Sequence, residues 1–211
     1  MDRLYDDKNA VSKDIQMIRV AEKSDINRII ELFTKYIDNS FFAELGKPFL
    51  KNIFEGLILS NYGVNFVFVI DSKIVGFISG TSNSIKLLKD ILFKKILIRS
   101  AMIFFRPFFK QSVKLKRLWE SLLYISRRMS APLKAEMLFI AVEPGSRSKG
   151  IATELINCIL VEMKKRGTEK VRVSTDQSNI EVNKLLQKMG FDFVKSHNLY
   201  GKKMCLYNRI I

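Results

Sequence analysis

A chain of 211 residues, 47% hydrophobic and 27% charged, is long enough for one domain with a sizeable core and too apolar to be disordered. Thirty-six Lys and Arg against 21 Asp and Glu leave a formal charge of +15, which selects anionic partners: a phosphorylated cofactor or substrate, a nucleic acid, or an acidic membrane surface. Two cysteines, Cys158 and Cys205, exclude a disulfide framework, and the single His197 excludes a His-rich metal site. No apolar run approaches the roughly 18 residues of a spanning helix. The opening MDRLYDDKNAVSKDIQ is too polar for a signal peptide. A reduced, cytoplasmic, metal-free domain is the expectation.

Residues 1–16 carry no apolar period and read as a flexible tail, leaving 17–211 as a single domain. A short strand is expected over 17–21. Ser24 then has the chemistry of an N-cap, with Asp25 in the first helical turn where it suits the helix dipole. Ile26, Ile29, Ile30, Phe33 and Ile37 follow at helical spacing. A second helical stretch, broken near Gly46 and Pro48, continues through Phe49, Ile53, Phe54, Leu57 and Ile58. The period then changes, and 65–70, the turn Asp71-Ser72-Lys73 and 74–81 read as a hairpin.

Residues 84–134 hold 13 Lys or Arg and two acids, Asp90 and Glu120, so most of the positive excess sits in this quarter of the chain. Lys86, Asp90 and Lys94 mark a polar stripe, which predicts a helix up to Pro107 and a second over 112–128. The segment reads as a basic helical insertion between two strands of one sheet. AEMLFIAV, residues 135–142, resumes the strand pattern. The loop EPGSRSK leads to Gly150 and an amphipathic helix closed by Gly167. A strand over 170–174, the polar turn TDQS, a helix stopped by Gly190 and two final strands over 191–196 and 202–208 complete the chain. Alternating strands and helices with a hairpin at each end give an α/β (α+β) domain built on a mixed sheet.

The chemistry concentrates where the strand 135–142 meets the following helix. The first amides of that helix have no intrahelical partner, and together with the helix dipole they make an anion site. Gly150 lets phosphate oxygens approach the backbone, Ala152 keeps the next contact small, and Arg147 and Lys149 add positive charge at the rim. Arg147-Ser148-Lys149-Gly150-Ile151-Ala152 in this position resembles the acetyl-CoA motif of the GNAT superfamily of N-acetyltransferases, Arg/Gln-x-x-Gly-x-Gly/Ala after the fourth strand. Residues 179–191, NIEVNKLLQKMGF, are similar to the family's next motif, and the element order fits apart from the insertion and the first residues.

The resemblance implies a mostly antiparallel central sheet flanked by helices, with acetyl-CoA as co-substrate and no metal. It implies that the backbone of Ile140 and Val142 pairs with the pantetheine arm like an extra strand. The amides of Ser148, Lys149, Gly150, Ile151, Ala152 and Thr153 would hold the pyrophosphate. Asn179 would hydrogen-bond the pantetheine, as would Asn183 one turn later, although Asn179 also suits a plain N-cap and Asn183 a solvent-facing position.

Acetylation of an amine needs a neutral nucleophile, so a base is required near the cleft. Glu136 is the candidate: strict alternation places it on one face with Leu138, Ile140 and Val142. Its position, 11 residues before Arg147, resembles the glutamate base of the protein-acetylating branch of the superfamily. A solvated strand-end glutamate, or a partner for Lys134, is the competing reading. Where many relatives carry a tyrosine to protonate the departing thiolate, this chain has Leu186; Tyr200 and Tyr207 are the substitutes within reach of the last hairpin. His197 reads as a surface-loop residue, Cys158 as core in a helix, and Cys205 as a strand residue. No His lies near either thiol to activate it.

Three readings compete for 84–134: a lid that walls the acceptor site and attracts an anionic substrate, an interfacial pair of helices on an anionic membrane, or a packed helical pair with a solvated basic face, open to a homodimer contact. No reading module accompanies the charge, which argues against nucleic acid. The insertion and the helices before Asn65 also resemble acetyltransferases associated with surface-polysaccharide biosynthesis. The expected activity is transfer of acetyl from acetyl-CoA directly to a primary amine, a small amino sugar or nucleotide-linked amino sugar. The alternatives are a protein or peptide amine, or a non-catalytic CoA-binding or membrane-associated module. The expected location is the cytoplasm, with a peripheral membrane role for the basic insertion as the variant.

Overall fold

The computed structural model describes residues 16–37, 41–44, 46–93 and 135–211. In chain order these form β1 (Gln16–Val20), α1 (Ile26–Tyr36), α2 (Phe41–Glu44), α3 (Lys47–Leu59), β2 (Gly63–Ile70), β3 (Lys73–Thr81) and α4 (Ser84–Phe93). After the insertion come β4 (Ala135–Val142), α5 (Ile151–Lys165), β5 (Lys170–Asp176), α6 (Ile180–Lys188), β6 (Asp192–Leu199) and β7 (Lys202–Ile210). Seven strands make one sheet in the order β1-β2-β3-β4-β5-β7-β6. All neighbouring pairs are antiparallel except β4 and β5. A parallel pair needs a crossover connection, and α5 supplies it. The sheet is mixed, as the sequence pattern implies, and mostly antiparallel with flanking helices, as the family resemblance implies.

Each face of the sheet carries its own core. On one side α5 turns Ile151, Leu155, Ile156, Ile159, Leu160 and Met163 inward at helical spacing against Val64, Ile78, Met137, Val171 and Val173. Each such side chain contributes roughly 1.5–3 kcal/mol relative to remaining in water. On the other side α1 and α3 bury Ile29, Ile30, Phe33, Leu50, Phe54 and Leu57 against Val67, Val69, Phe77 and Ala141. Phe33 is the centre of this layer, meeting Phe54 at 5.5 Å and Phe139 at 5.1 Å in edge-to-face geometry. The β2–β3 hairpin turns on Asp71 and Ser72, both with positive φ (48° and 64°), the pattern whose twist matches the flanking strands.

Several elements differ from the sequence reading. Ser24 does not cap α1: the helix starts at Ile26, after a short 3-10 turn over Lys23–Asp25. Asp25 does the local bonding, accepting the Glu22 amide at 2.8 Å and both guanidinium arms of Arg19 at 2.6 and 2.8 Å. The Arg19 hydrogen bonds outweigh burial and hold the Asp25 carboxyl below its ordinary value. Gln16, assigned to the tail, opens β1, and β5 runs on to Asp176 through residues expected to turn. His197 sits half-buried in β6 opposite Met204, not in a surface loop, because the final hairpin is longer than its apolar pattern suggests. Of the basic insertion, α4 is described: Leu87 is buried, and Asp90 accepts the Ser60 hydroxyl at 2.7 Å, which docks α4 on α3. Residues 94–134, including the helices expected up to Pro107 and over 112–128, lie outside the described residues, as does the tail before Gln16. Among the described residues no helix is long and apolar enough to cross a membrane.

Candidate active site

The sheet opens at its centre. β4 and β5 are paired over three positions only, Ala135 with Val171, Glu136 with Arg172 and Met137 with Val173. Beyond Met137, β4 stays with β3 as far as Val142 while β5 stays with β7 as far as Asp176, so the two parallel strands part. The local cause is a bulge: Gly80 pairs with Met137 and Ser79 with Phe139, which leaves Leu138 as an extra residue in β4. An extra residue bends its strand and increases the local twist. Gly80 makes room for the bend, since a Cβ there would lie 2.7 Å from the Glu136 carbonyl oxygen and 2.8 Å from Ile159 Cδ1.

The direction of the free backbone groups follows from one hydrogen bond. Glu143 N–H donates to the Val75 carbonyl at 2.8 Å, so residue 143 faces β3. By antiparallel alternation Ala141 and Phe139 also face β3, and the N–H and C=O groups of Ile140 and Val142 point into the gap. Leu138, Phe139 and Ile140 are half-buried between fully buried neighbours, as expected for a strand opened along one edge. The Val142 carbonyl is already taken by Arg147 Nε at 3.0 Å, and the Arg147 guanidinium rests over the Tyr36 ring, 5.5 Å from its centroid. Arg147 therefore braces the end of β4 against α1, a role beyond the rim charge the sequence suggests.

The gap leads to the loop before α5. Pro144–Ser146 forms a 3-10 turn, Ser148 has φ of 60°, and Gly150 at the helix N-cap has φ of 83°. These left-handed residues turn consecutive amides outward. The first described backbone bond of the helix is Glu154 N–H to the Gly150 carbonyl at 3.0 Å. The amides of Ser148, Lys149, Gly150, Ile151, Ala152 and Thr153 have no acceptor among the described residues. A Cβ on Gly150 would meet only Glu154 Oε1 at 3.9 Å, so the space in front of the amides is open. Lys149 is exposed beside it.

α6 closes the β5 side. Asn179 is its N-cap, accepting the Val182 amide at 3.3 Å, and is exposed. Asn183 is not solvent-facing. Its amide nitrogen donates to the carbonyls of Asp176 at 2.9 Å and Asn179 at 2.7 Å, and its oxygen accepts the Tyr207 hydroxyl at 2.8 Å. It pins the β5–α6 turn to β7. Tyr207 is buried on the α5 face, and that burial, with Cys205 beside it, pushes its hydroxyl above the ordinary tyrosine range. Leu186 is core, and Tyr200 lies in the β6–β7 turn with φ of 54°. Cys158 is half-buried in α5, where burial and then Glu154 raise its thiol. Among the described residues no cluster of three His, Cys, Asp or Glu could hold a metal ion.

Glu136 requires a correction. The Leu138 bulge reverses the alternation, so Glu136 shares a face with Phe139 and Ala141, on the α1 and α3 side, while Ile140 and Val142 face α5. It is 3% exposed, which sets aside the solvated strand-end reading. It stands in a polar row across four strands: Thr81 on β3, Glu136 on β4, Arg172 on β5 and Asn208 on β7 are register partners in sequence. Sequence reasoning missed Arg172. Its signal was available in Val171-Arg172-Val173, where two core valines force the arginine to the opposite face.

The profile of the acetyltransferase (GNAT) family matches residues 26–191. The fold is similar to an N-acetyltransferase from Staphylococcus aureus (TM-score 0.60, 21% identity, covering 93% of this chain and 98% of that one). It is also similar to a ribosomal-protein-alanine N-acetyltransferase from Brucella melitensis (TM-score 0.59, 16% identity, covering 92% and 99%). A third similar structure is Arabidopsis thaliana NAA60 in complex with acetyl-CoA (TM-score 0.60, 15% identity, covering 93% and 99%). No protein of curated function matches the chain in sequence.

Proposed function

Because the chain belongs to the GNAT acetyltransferase family, we propose that it transfers the acetyl group of acetyl-CoA directly to the primary amine of a small amino sugar, free or nucleotide-linked. The observation that carries the reading is the parting of β4 and β5 after three residue pairs, leading straight to a loop of outward-turned amides. The gap suits an extended amide-bearing arm. Ile140 N–H and C=O and Val142 N–H supply its backbone partners, and Asn179 is exposed to add a side-chain contact. The amides of residues 148–153, with Lys149 beside them, suit a pyrophosphate, and the N-terminus of the 15-residue α5 adds its dipole. The residues present therefore fit acetyl-CoA, which supplies the activated acetyl group.

Glu136 is the base. An alkylamine with a pKa near 10.4 is neutral in only roughly one molecule in a few thousand at pH 7, so removing its proton raises the reactive fraction. The amine then forms its C–N bond to the acetyl carbon, the C–S bond breaks, and CoA leaves as a thiolate that takes up a proton. Glu136 stands on the α1 and α3 face of β4, opposite the α5 face, two residues before the bulge beyond which β4 and β5 part. The domain is taken as 17–211, extended by Gln16 at the start of β1, with 84–134 as an insertion in sequence between β3 and β4.

The same base would serve a peptide amine, favoured by the spacing from Glu136 to Arg147. A mass shift of one acetyl group on an amino-sugar nucleotide but not on peptides separates the two substrates. Glu136→Gln keeps the size of the side chain and removes the base. It is expected to lower kcat by about 100- to 10,000-fold while calorimetric acetyl-CoA affinity stays within about threefold. Full activity in this variant would remove Glu136 from the reaction. No turnover in the wild type with any amine would leave a CoA-binding module.

A further inference from the structure

The loop of outward-turned amides starts from the end of β4, and an ion cluster holds that end in place. Glu143 is the last residue before the 3-10 turn Pro144–Ser146. Its amide is fixed to β3 through the Val75 carbonyl at 2.8 Å. Its carboxylate is shared between two elements. Oε1 accepts from Arg28 Nη2, in the first turn of α1, and Oε2 accepts from Lys73 Nζ, at the start of β3, at 3.1 Å. Arg28 is anchored twice more, donating from Nε to the Ile74 carbonyl at 3.1 Å and from Nη1 to Glu31 Oε2 at 2.9 Å. Burial works to raise the Glu143 carboxyl, but the hydrogen bonds of Lys73 and Arg28 outweigh it and hold the group below its ordinary value. Glu143 is therefore ionised at neutral pH.

Charge alone makes a carboxylate here unfavourable to a polyanion bound on the amides that follow. What the cluster supplies is a fixed backbone. The preceding residue is gripped as well, since the Val142 carbonyl accepts Arg147 Nε at 3.0 Å. Both grips lead to α1: Arg28 belongs to it, and the Arg147 guanidinium lies 5.5 Å from the centroid of the Tyr36 ring. Two consecutive residues between the gap and the 3-10 turn are thus tied to one helix. A ligand that spans the gap and the loop binds best when nothing has to be ordered on its arrival.

We infer that Glu143 and Arg28 are positioning residues for acetyl-CoA: their ion pair ties the end of β4 to α1 and holds the Val142 edge of the gap and the amides of residues 148–153 in the arrangement that the cofactor spans. This rests on the reading of the gap and loop as the acetyl-CoA site, and it adds two residues outside the motif from Arg147 to Ala152.

The test is calorimetric titration of acetyl-CoA into the full chain, with the melting temperature of each ligand-free protein. Wild type is compared with Glu143→Met, Arg28→Met, the double variant and Glu143→Gln. The two single Met variants change the net charge in opposite directions, so positioning and charge predict different patterns. Positioning predicts that both weaken Kd by about 5- to 30-fold, and that the double variant is at most about twofold weaker than the weaker single. Glu143→Gln, which keeps an acceptor for Arg28 but has the charge of Glu143→Met, recovers part of the affinity. Tighter binding in Glu143→Met with weaker binding in Arg28→Met would overturn the inference, because the two would then act as charges alone. So would an unchanged Kd in both with lowered melting temperatures, the signature of an ion pair that only stabilises the fold. Single losses that multiply in the double variant would also overturn it. If one Met variant does not fold, the other and Glu143→Gln decide the matter. Wild-type binding that is absent, or that Gly150→Glu leaves unchanged, would instead overturn the site reading beneath the inference.

Discussion

Asn183 is a test of how the fold holds the α6 side of the site together. Its amide makes two donations and one acceptance, at 2.9, 2.7 and 2.8 Å, joining the end of β5, the cap of α6 and Tyr207 on β7. Asn183→Ala deletes all three. At about 1 kcal/mol net for each hydrogen bond, with a further penalty for the stranded hydroxyl of a 3% exposed Tyr207, the loss is about 3–4 kcal/mol. With a urea m-value of about 2–3 kcal/mol/M for a chain of this size, the unfolding midpoint should fall by about 1–2 M. Tyr207→Phe alone removes one bond and should cost about 1 kcal/mol. In the Tyr207→Phe background there is no hydroxyl left to strand, so Asn183→Ala should cost about 1–2 kcal/mol less than it does alone. Urea unfolding of the four proteins in the double-mutant cycle reads this directly. Additive single effects, within about 0.5 kcal/mol, would show that Asn183 and Tyr207 are not a unit and refute the bracing role.

The other expectations concern the opening and the pH response. Gly80→Ala should destabilise by about 1–3 kcal/mol, because its Cβ would lie 2.7 Å from the Glu136 carbonyl, within the bulge; a melting temperature within 1 °C of wild type would mean the bulge absorbs the methyl. Asp25→Asn should be less stable than wild type at pH 7, since Arg19 depresses the native carboxyl pKa. A depressed carboxyl contributes stability above its unfolded pKa of about 3.9 and loses it as pH falls through the lower folded value. The wild-type advantage should therefore be steady from pH 8 to 5 and close below about pH 4; a gap independent of pH would place the effect in packing.

What the sequence made legible and what it hid divide along physical lines. Local patterns carried the element order, because helical and strand periods are properties of neighbouring residues. The loop from Arg147 to Ala152 was legible for the same reason: a glycine before an amphipathic helix needs no tertiary knowledge. The bulge at Leu138 was not, because AEMLFIAV reads as uninterrupted strand and an extra residue shows only against a partner strand. That single residue put Ile140 and Val142 on the opposite face from Glu136. Asn183 read equally as a pantetheine contact or a solvent-facing position, because its partners, Asp176 and Tyr207, come from β5 and β7. The polar row through Arg172 likewise requires β4 and β5 to be neighbours in the sheet. A β-α-β unit with a right-handed crossover implies that adjacency, so this part was within reach.

The proposed activity requires acetyl-CoA in the gap with its pyrophosphate on the α5 amides. The direct measurement is calorimetric titration of acetyl-CoA into wild type and Gly150→Glu at moderately high salt, because a chain of charge +15 attracts any polyanion. Little crowds the Gly150 Cβ, so the variant is strained mainly at its φ of 83° and should stay folded by circular dichroism. Saturable one-site binding in the wild type, abolished by the carboxylate in Gly150→Glu, is the predicted result. Binding of equal strength in both proteins would contradict the account and place the cofactor elsewhere.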